Sequence, residues 1–454
     1  MKYYIWALGC AMNFSDAERI ASVLCDAGYE ETKKESEADL VVTVACSVRQ
    51  SGINRIYGKI KEWEDIRKSR PLTTVLSGCV LAEDKKKMSK FFDLIFEINE
   101  IEKLSDLLSV IPNPPSERIN SAEGSLKNSR ERDFSTRRSA KSVEMTRPNS
   151  FFQIHPKYES TFKAYIPIST GCDNFCTYCA VPYTRGREIS RPIGEIIAEV
   201  KELTKNGYRE ITLLGQNVNS YGNDLKNGAT FPDLLRKIDE IPGDYRVYFY
   251  SNHPKDMSDE LIKTLSKLRH FPHYIHLPLQ SGSDRILKAM NRHYTQKQYL
   301  KLVEKIKKAI PDVSITTDII VGFPDESEED FEQTKKVMEE VCFSMPFIAK
   351  YSPRPGTVAE KMKDNIPKEE KEKRWRELTN IQKTILEKEN KKLAGKDFRT
   401  LIDSEKNNKY YGRTDSYKVV EVPKKQTDLM GQFVKVEIVG PSAWLLKGKI
   451  ISSV

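Results

Sequence analysis

No stretch of this 454-residue sequence approaches the roughly 18 consecutive apolar residues that a membrane-spanning helix needs. The opening MKYYIWALGCAMNFSDAERI carries an apolar run too short for the core of a secretory signal and meets acids soon after it, so the protein is expected to stay in the cytoplasm, with no membrane partner. A large charge excess is missing as well. The 74 Lys and Arg stand against 65 Asp and Glu, a net +9, which favours a polyanionic partner only mildly. Cysteine is sparse at eight residues, and in a reducing compartment these read as ligands or buried thiols rather than disulfides. Length is not lacking: the chain can hold two to four domains and bury a sizeable core.

Three of the few cysteines crowd into one loop. GCDNFCTYCAVP, from Gly171 to Pro182, places Cys172, Cys176 and Cys179 in a C-x3-C-x2-C run with Tyr178 just before the last thiol. A 4Fe-4S cube takes four ligands, so three local cysteines with no evident fourth leave one iron open to an outside molecule. Zinc is the competing reading. Structural zinc, however, is closed by four ligands in paired C-x2-C or Cys/His spacings, and none flank this loop.

The first hundred residues hold three short strand-like runs, KYYIWAL, ADLVVTVA and LTTVLSG, with helical patterns between them, which predicts an open α/β layer. Ala17, Ile20, Ala21, Leu24 and Cys25 fall on one apolar helix face, so Cys25 is expected in the core. Cys10, Cys46 and Cys79 differ, because each stands at the carboxyl end of a strand-like run. Parallel strands bring those ends together at the edge where open α/β sheets bind ligands. Two readings stay open for this trio: one shared cluster, or three unrelated buried thiols.

From about Asn113 to Lys157 the periodicity gives way to a linker rich in Ser, Pro and Arg, whose Arg137, Arg138, Lys141 and Arg147 are solvated charges or phosphate contacts. Six strand-like runs then alternate with helical segments: YIPIS, ITLLGQ, YRVYFYS, YIHLPLQ, SITTDIIVGF and MPFIAKYS. They predict a partial (β/α)6 barrel, with the cysteine loop following its first strand. Other strand ends carry Gly215, Gln216 and Asn217, then Ser251 with His253, Gln280 to Ser283, and Gly322 with Pro324; turn chemistry explains the last pair equally well. Cys342, in EVCFSMPF, is expected to be a buried core thiol. The charged stretch KEEKEKRWRELTNIQKTILEKENKKLAG is expected to be a solvated helix leading out of the barrel. After about Ala394, short runs separated by turns predict a small antiparallel β-barrel. There Lys396, Arg399, Arg413, Lys418, Lys424, Lys425 and Lys435 accompany Tyr410, Tyr411 and Tyr417, a composition suited to a nucleic-acid backbone and stacked bases.

GCDNFCTYCAVPYTRGREISRP resembles the cluster loop of radical S-adenosylmethionine enzymes, and the order of domains is similar to one branch, the radical S-adenosylmethionine methylthiotransferases. That family carries three cysteines at the places of Cys10, Cys46 and Cys79, here in ALGCAMN, VACSVRQ and SGCVLA. The resemblance runs on through LLGQNVNSYG, HLPLQSGSDRILKAMNRHYT, DIIVGFPDE and YSPRPGT into YYGRTDSYKVV, in a segment that looks like a TRAM domain. It implies domains at 1–112, 158–393 and 394–454, joined by the linker at 113–157. LLGQNVNSYG is similar to the form in MiaB-type enzymes, which modify transfer RNA; relatives that thiolate an aspartate of a ribosomal protein usually carry Asp-Thr-Ser at the site of Asn217, Val218 and Asn219. Two departures stand out: Thr-Gly-Cys-Gln is common where this chain has Leu8, Gly9, Cys10 and Ala11, and Asn-Thr-Cys where it has Val44, Ala45 and Cys46. All three thiols remain, so the changes bear on the surroundings that tune a cluster.

What the resemblance implies is specific. One 4Fe-4S cluster on Cys172, Cys176 and Cys179 would bind S-adenosyl-L-methionine at its open iron, and a second, auxiliary 4Fe-4S cluster on Cys10, Cys46 and Cys79 would present sulfur. Tyr178, Gly215, Gln216 and Ser251 would contact S-adenosyl-L-methionine, and no side chain is assigned as acid or base. Arg185 and Arg187, just past the cluster loop, would meet a carboxylate or phosphate, or brace the loop as ion pairs. The substrate would be an isopentenyl-modified adenosine beside the anticodon, splayed out of a single-stranded tRNA loop. A one-electron donor and a sulfur source would be separate partners of a monomer. The alternatives are methylthiolation of a ribosomal-protein aspartate and, without enzyme activity, a zinc-bearing RNA-binding protein.

Overall fold

Seven-residue runs rich in β-branched residues, LVVTVAC and TTVLSGC, are buried along their whole length, the pattern of parallel strands covered on both faces. They are β3 (Leu40–Cys46) and β4 (Thr73–Cys79), which with β1 (Lys2–Ala7), β2 (Glu30–Glu31) and β5 (Leu94–Ile95) make a parallel sheet of order β2-β1-β3-β4-β5. This computed structural model describes residues 1–48, 50–109, 111, 150–424 and 428–453. They divide into two units, one drawn from 1–46, 50–80 and 84–157 and the other from 47–49, 81–83 and 158–454.

In the first unit, helix Ala11–Asp26 buries Ile20, Ala21 and Leu24, and helix Gln50–Arg67 buries Ile53, Ile56, Ile60 and Trp63. Cys25 is not in the core as expected. It is half-buried near the helix end, its Sγ 3.3 Å from the Tyr3 hydroxyl. Residues 150–157, within the expected linker, pack here: Phe151 and Phe152 are buried, the Arg19 guanidinium lies 4.9 Å over Phe151, and the Lys157 amide donates to the Glu18 carbonyl at 3.0 Å. Arg137, Arg138, Lys141 and Arg147 lie outside the described residues.

The second unit begins with β6 (Lys163–Pro167), followed by β7 (Ser169–Thr170), β8 (Ile189–Ser190), β9 (Glu210–Leu214), β10 (Arg246–Phe249), β11 (Tyr274–His276), β12 (Ser314–Val321) and β13 (Met345–Lys350). The six runs anticipated from sequence form two parallel three-stranded ladders, β10-β9-β6 and β11-β12-β13, over one shared apolar core. Intervening helices cover it with amphipathic faces; helix Ile193–Lys205, for example, buries Ile196, Val200 and Leu203.

Two expectations fail here. Cys342 is exposed rather than buried: it adopts the left-handed conformation (φ 54°) that stops helix Glu328–Val341, which turns its thiol outward. Helix Lys368–Lys391 is not solvated all round. Lys371 and Arg374 are buried in ion pairs with Asp364 and Glu326, Leu378, Gln382 and Leu386 are buried, Trp375 Nε1 donates to the Ile348 carbonyl at 3.0 Å, and Gln382 Nε2 donates to the Phe343 carbonyl at 2.8 Å.

Strands β14 (Asp397–Lys406), β15 (Lys409–Thr414), β16 (Val419–Pro423), β17 (Phe433–Gly440) and β18 (Leu446–Ser453) close into a barrel of order β14-β15-β16-β18-β17, antiparallel except for the parallel β16–β18 pairing. This barrel docks at the starts of β6, β9 and β10. Arg246, the first residue of β10 and 1% exposed, donates to Glu210 at 2.7 Å, to the Arg413 carbonyl at 3.0 Å and to Asp415 at 3.1 Å, and Lys163 reaches Asp403 at 2.8 Å.

Candidate active site

The cysteine loop leaves the carboxyl end of the first barrel strand and is tied off at its base by the antiparallel β7–β8 pair. Gly171 adopts φ 82°, and a Cβ there would lie 2.0 Å from the Arg187 carbonyl oxygen, so only glycine allows the two ends of the loop to close. The Cys172 amide donates to the Gly186 carbonyl at 3.2 Å, and the Cys179 amide donates to that of Cys176 at 2.9 Å. Segment 289–294 grips the loop from outside. Thr177 donates to the carbonyls of Ala289 and Met290, the Asn291 amide side chain donates to those of Asn174 and Phe175, and Arg292 Nη1 donates to Cys176 Sγ at 3.3 Å. Burial pushes the Cys172 thiol up to about 11 and the Cys179 thiol up to about 12, so assembly of a metal centre on them must displace protons.

The other candidate residues meet at the same end of the strands. Gly215 lets the backbone pass Ser169: a Cβ on it would be 2.6 Å from Ser169 Oγ. Gln216 Oε1 accepts from the Gly171 amide at 2.5 Å, which commits that oxygen to the cluster loop. Ser251 and Gln280 hold φ of 64° and 68°, left-handed backbone that costs of order 1–3 kcal/mol and concentrates at functional sites. The Tyr178 ring is half-buried against Met290, Phe323 and Tyr351. Arg187 pairs with Asp173 at 3.0 Å and lies over Phe175, a brace for the loop, and Arg185 is buried. Gly322 is turn chemistry, its amide donating to Glu326 at 2.7 Å.

A ring of buried polar atoms at these strand ends has no hydrogen-bond partner among the described residues: Ser169 Oγ, Thr170 Oγ1, Asn217 Oδ1, Asn252 Oδ1, His253 Nε2 and Gln280 Oε1. Buried polar groups are rarely left unpaired in proteins, and six at the mouth of one barrel fit a polar ligand with both donors and acceptors. His253 is neutral. Burial, then the Arg292 charge, push it down to about 2, and its Nδ1 accepts from the Lys255 amide at 3.2 Å, so its proton sits on the unpaired Nε2. Burial, with Asp224, Asp173 and Asp256 nearby, pushes the Glu188 carboxyl up to about 7 against a hydrogen bond from Ser220.

In the first unit, the trio sits where parallel pairing predicts. Cys46 and Cys79 are register partners at the carboxyl ends of β3 and β4, and Cys10 opens helix Ala11–Asp26 just past β1. Glycine makes the turns fit: a Cβ on Gly9 (φ 129°) would lie 2.8 Å from Cys46 Cβ, and one on Gly78 (φ 100°) would lie 2.5 Å from the Ala45 carbonyl oxygen. Asn13, fully buried, ties two of the turns together: its Oδ1 accepts from the Cys10 amide at 3.4 Å and its Nδ2 donates to the Ala45 carbonyl at 3.0 Å. Among the described residues no group of three His, Cys, Asp or Glu side chains is placed to hold a metal ion.

Most of the basic and aromatic side chains expected to bind nucleic acid in the terminal barrel are engaged elsewhere. Arg413 pairs with Asp403, Arg399 with Asp244 and Asp415, Lys435 with Asp397 and Lys424 with Glu405. Tyr410 is core, Tyr417 meets Tyr248 edge-on and Tyr274 at a tilt at the docking face, and Lys418 is spent on Asn390. Tyr411 donates to Glu421 at 3.1 Å, Lys396 is exposed, and Lys425 lies outside the described residues.

Three family models match: the radical SAM superfamily over residues 166–338, the uncharacterized protein family UPF0004 over 2–97, and the TRAM domain over 391–451. A tRNA-2-methylthio-N(6)-dimethylallyladenosine synthase of Caldicellulosiruptor saccharolyticus is 41% identical over 99% of this chain and 92% of its own length, and one of Thermotoga petrophila is 38% identical over 99% and 97%. The chain belongs to the tRNA-2-methylthio-N(6)-dimethylallyladenosine synthase family. The solved structure of the radical S-adenosylmethionine methyltransferase TsrM from Kitasatospora setae, with cobalamin and a [4Fe-4S] cluster bound, covers 79% of this synthase-family chain and 73% of its own at a TM-score of 0.51 and 13% identity, a likeness of fold. Sequence reasoning on this family member missed Asn13, Asn291 and Arg292. Their signal was adjacency alone, since ALGCAMN and KAMNRHYT put them in or beside quoted motifs.

Proposed function

We propose that this chain inserts a methylthio group at carbon 2 of an isopentenyl-modified adenosine beside the anticodon of tRNA. The observation that carries it is the pair of cysteine trios, Cys172, Cys176 and Cys179 in one unit and Cys10, Cys46 and Cys79 in the other, each seated at the carboxyl ends of parallel strands. When bound, two 4Fe-4S clusters and S-adenosyl-L-methionine supply a one-electron route to a carbon radical and a sulfur for it to capture. The six thiols hold the clusters. Gly215 and Ser251 leave backbone room at the mouth, Gln216 and Tyr178 steady the loop that faces S-adenosyl-L-methionine, and the unpaired His253 Nε2–H and Asn252 Oδ1 offer it a donor and an acceptor. The TRAM barrel contacts RNA, with the exposed Lys396 among its contacts. The protein works as a cytoplasmic monomer with a separate one-electron donor and sulfur source.

The test is anaerobic reconstitution with reductant, S-adenosyl-L-methionine and isopentenylated tRNA. The expected result is about eight irons with sulfide and a methylthiolated nucleoside. Cys46→Ala should still cleave S-adenosyl-L-methionine but insert no sulfur. Undiminished methylthiolation by that variant refutes the role given to the auxiliary trio, and product on a ribosomal-protein aspartate instead of tRNA refutes the substrate.

A further inference from the structure

Arg292 is 8% exposed, and no Asp or Glu among the described residues pairs with it. Its Nε donates to the Tyr294 hydroxyl at 3.0 Å, Nη2 to the Pro278 carbonyl at 3.2 Å and Nη1 to Cys176 Sγ at 3.3 Å, with the guanidinium 5.2 Å over the Tyr294 ring. Tyr294 is itself locked, its hydroxyl donating to the Leu279 carbonyl at 2.8 Å. A buried cation is costly unless a counter-charge meets it; the Tyr294 phenol keeps its proton to donate to the Leu279 carbonyl, so the group in this set that becomes an anion on ligating a metal is the Cys176 sulfur. We infer that Arg292 is a positioning residue that sets the reduction potential of the cluster held by Cys172, Cys176 and Cys179. The inference rests on the cluster assignment proposed above.

The reasoning is electrostatic. Reduction adds one electron, delivered by any one-electron donor of lower potential, to a centre already ligated by thiolates, and no proton accompanies it. A fixed positive charge that also donates to a ligand sulfur favours the more negative, reduced form, and hydrogen bonds to sulfur and net charge are the levers that set such potentials. In a site shielded from water the effect is screened little.

The test uses the full chain with Cys10, Cys46 and Cys79 replaced by Ala, so that one cluster remains. Anaerobic titration with dithionite and mediators, read by electron paramagnetic resonance, gives its midpoint. Arg292→Gln is expected to lower the reduced-to-oxidised ratio at a fixed potential at least tenfold, about 59 mV for a one-electron couple, while Arg292→Lys, which keeps the charge, stays within tenfold of the parent. An unshifted midpoint in Arg292→Gln overturns the inference. Should that variant lose its cluster, the parent labelled with guanidino-15N arginine decides: a nitrogen coupling at the reduced cluster that disappears in Arg292→Lys supports the inference, and no coupling refutes it. Absence of any cluster in the parent overturns the cluster assignment itself, a different result from an unshifted midpoint.

Discussion

Replacing Arg246 with Met tests the joint between the terminal barrel and the strand starts. The substitution keeps most of the side-chain volume and removes a guanidinium that donates twice to Glu210 Oε2, at 2.7 and 3.0 Å, and also engages Asp415 and the Arg413 carbonyl. Glu210, 5% exposed, would keep as its ion-pair partner among the described residues only Lys163 at 3.6 Å. Stranding a buried charge in this way costs about 3–5 kcal/mol, whereas an exposed pair such as Lys435–Asp397, at 3.0 Å, contributes under about 1 kcal/mol. Because 1.4 kcal/mol is tenfold in an equilibrium constant, amide exchange in β14 and β15 should accelerate by roughly two to four powers of ten. Lys435→Met should change it less than tenfold. Adding Glu210→Leu removes the stranded carboxylate and should recover most of the protection. A single variant that exchanges within tenfold of the parent, or a double variant no better than the single, would refute this account.

Two further perturbations address the sites themselves. Gly9→Ala forces a Cβ to within 2.8 Å of Cys46 Cβ at a φ of 129°, so the protein should reconstitute with about four irons rather than about eight and still cleave S-adenosyl-L-methionine; iron and sulfide assays check this, and full loading counts against the turn argument. Glu188 titrates in the folded chain at about 7, above the ordinary carboxylate value of about 4.3. Between those values the folded chain holds a proton that the unfolded chain has released, so stability falls as pH rises through that window, by on the order of 3–4 kcal/mol. Glu188→Gln should therefore gain thermal stability relative to the parent between pH 5 and pH 8, and a constant Tm difference would sink the assignment.

The features legible in the sequence were those set by local periodicity and by chain direction. Six alternating runs place six parallel strands, and Cys46 and Cys79, each ending a buried run, are brought side by side because parallel strands share a carboxyl edge. Contacts between distant segments left no such trace. Arg292 reaches Cys176 across 116 residues of sequence, and Arg246 reaches Asp415 across 169. The basic residues of the TRAM barrel misled for the same reason: composition marks Arg399, Arg413 and Tyr417 as suited to nucleic acid, but their partners Asp244, Asp403 and Tyr250 are visible only once the chain is folded. Cys342 misled by residue type, since a helix stop needs left-handed backbone and the fold took it from a cysteine where glycine is usual.

Because Cys46 and Cys79 are opposed rungs of one ladder, the spacing of these two thiols is inherited from sheet register and not from loop length. The crossover through helix Gln50–Arg67 can gain or lose surface residues without moving either thiol. A single insertion inside Leu40–Cys46 would turn Cys46 to the opposite face of the sheet. Natural variation in chain length should therefore collect in the crossovers of this unit and stay out of its two central strands.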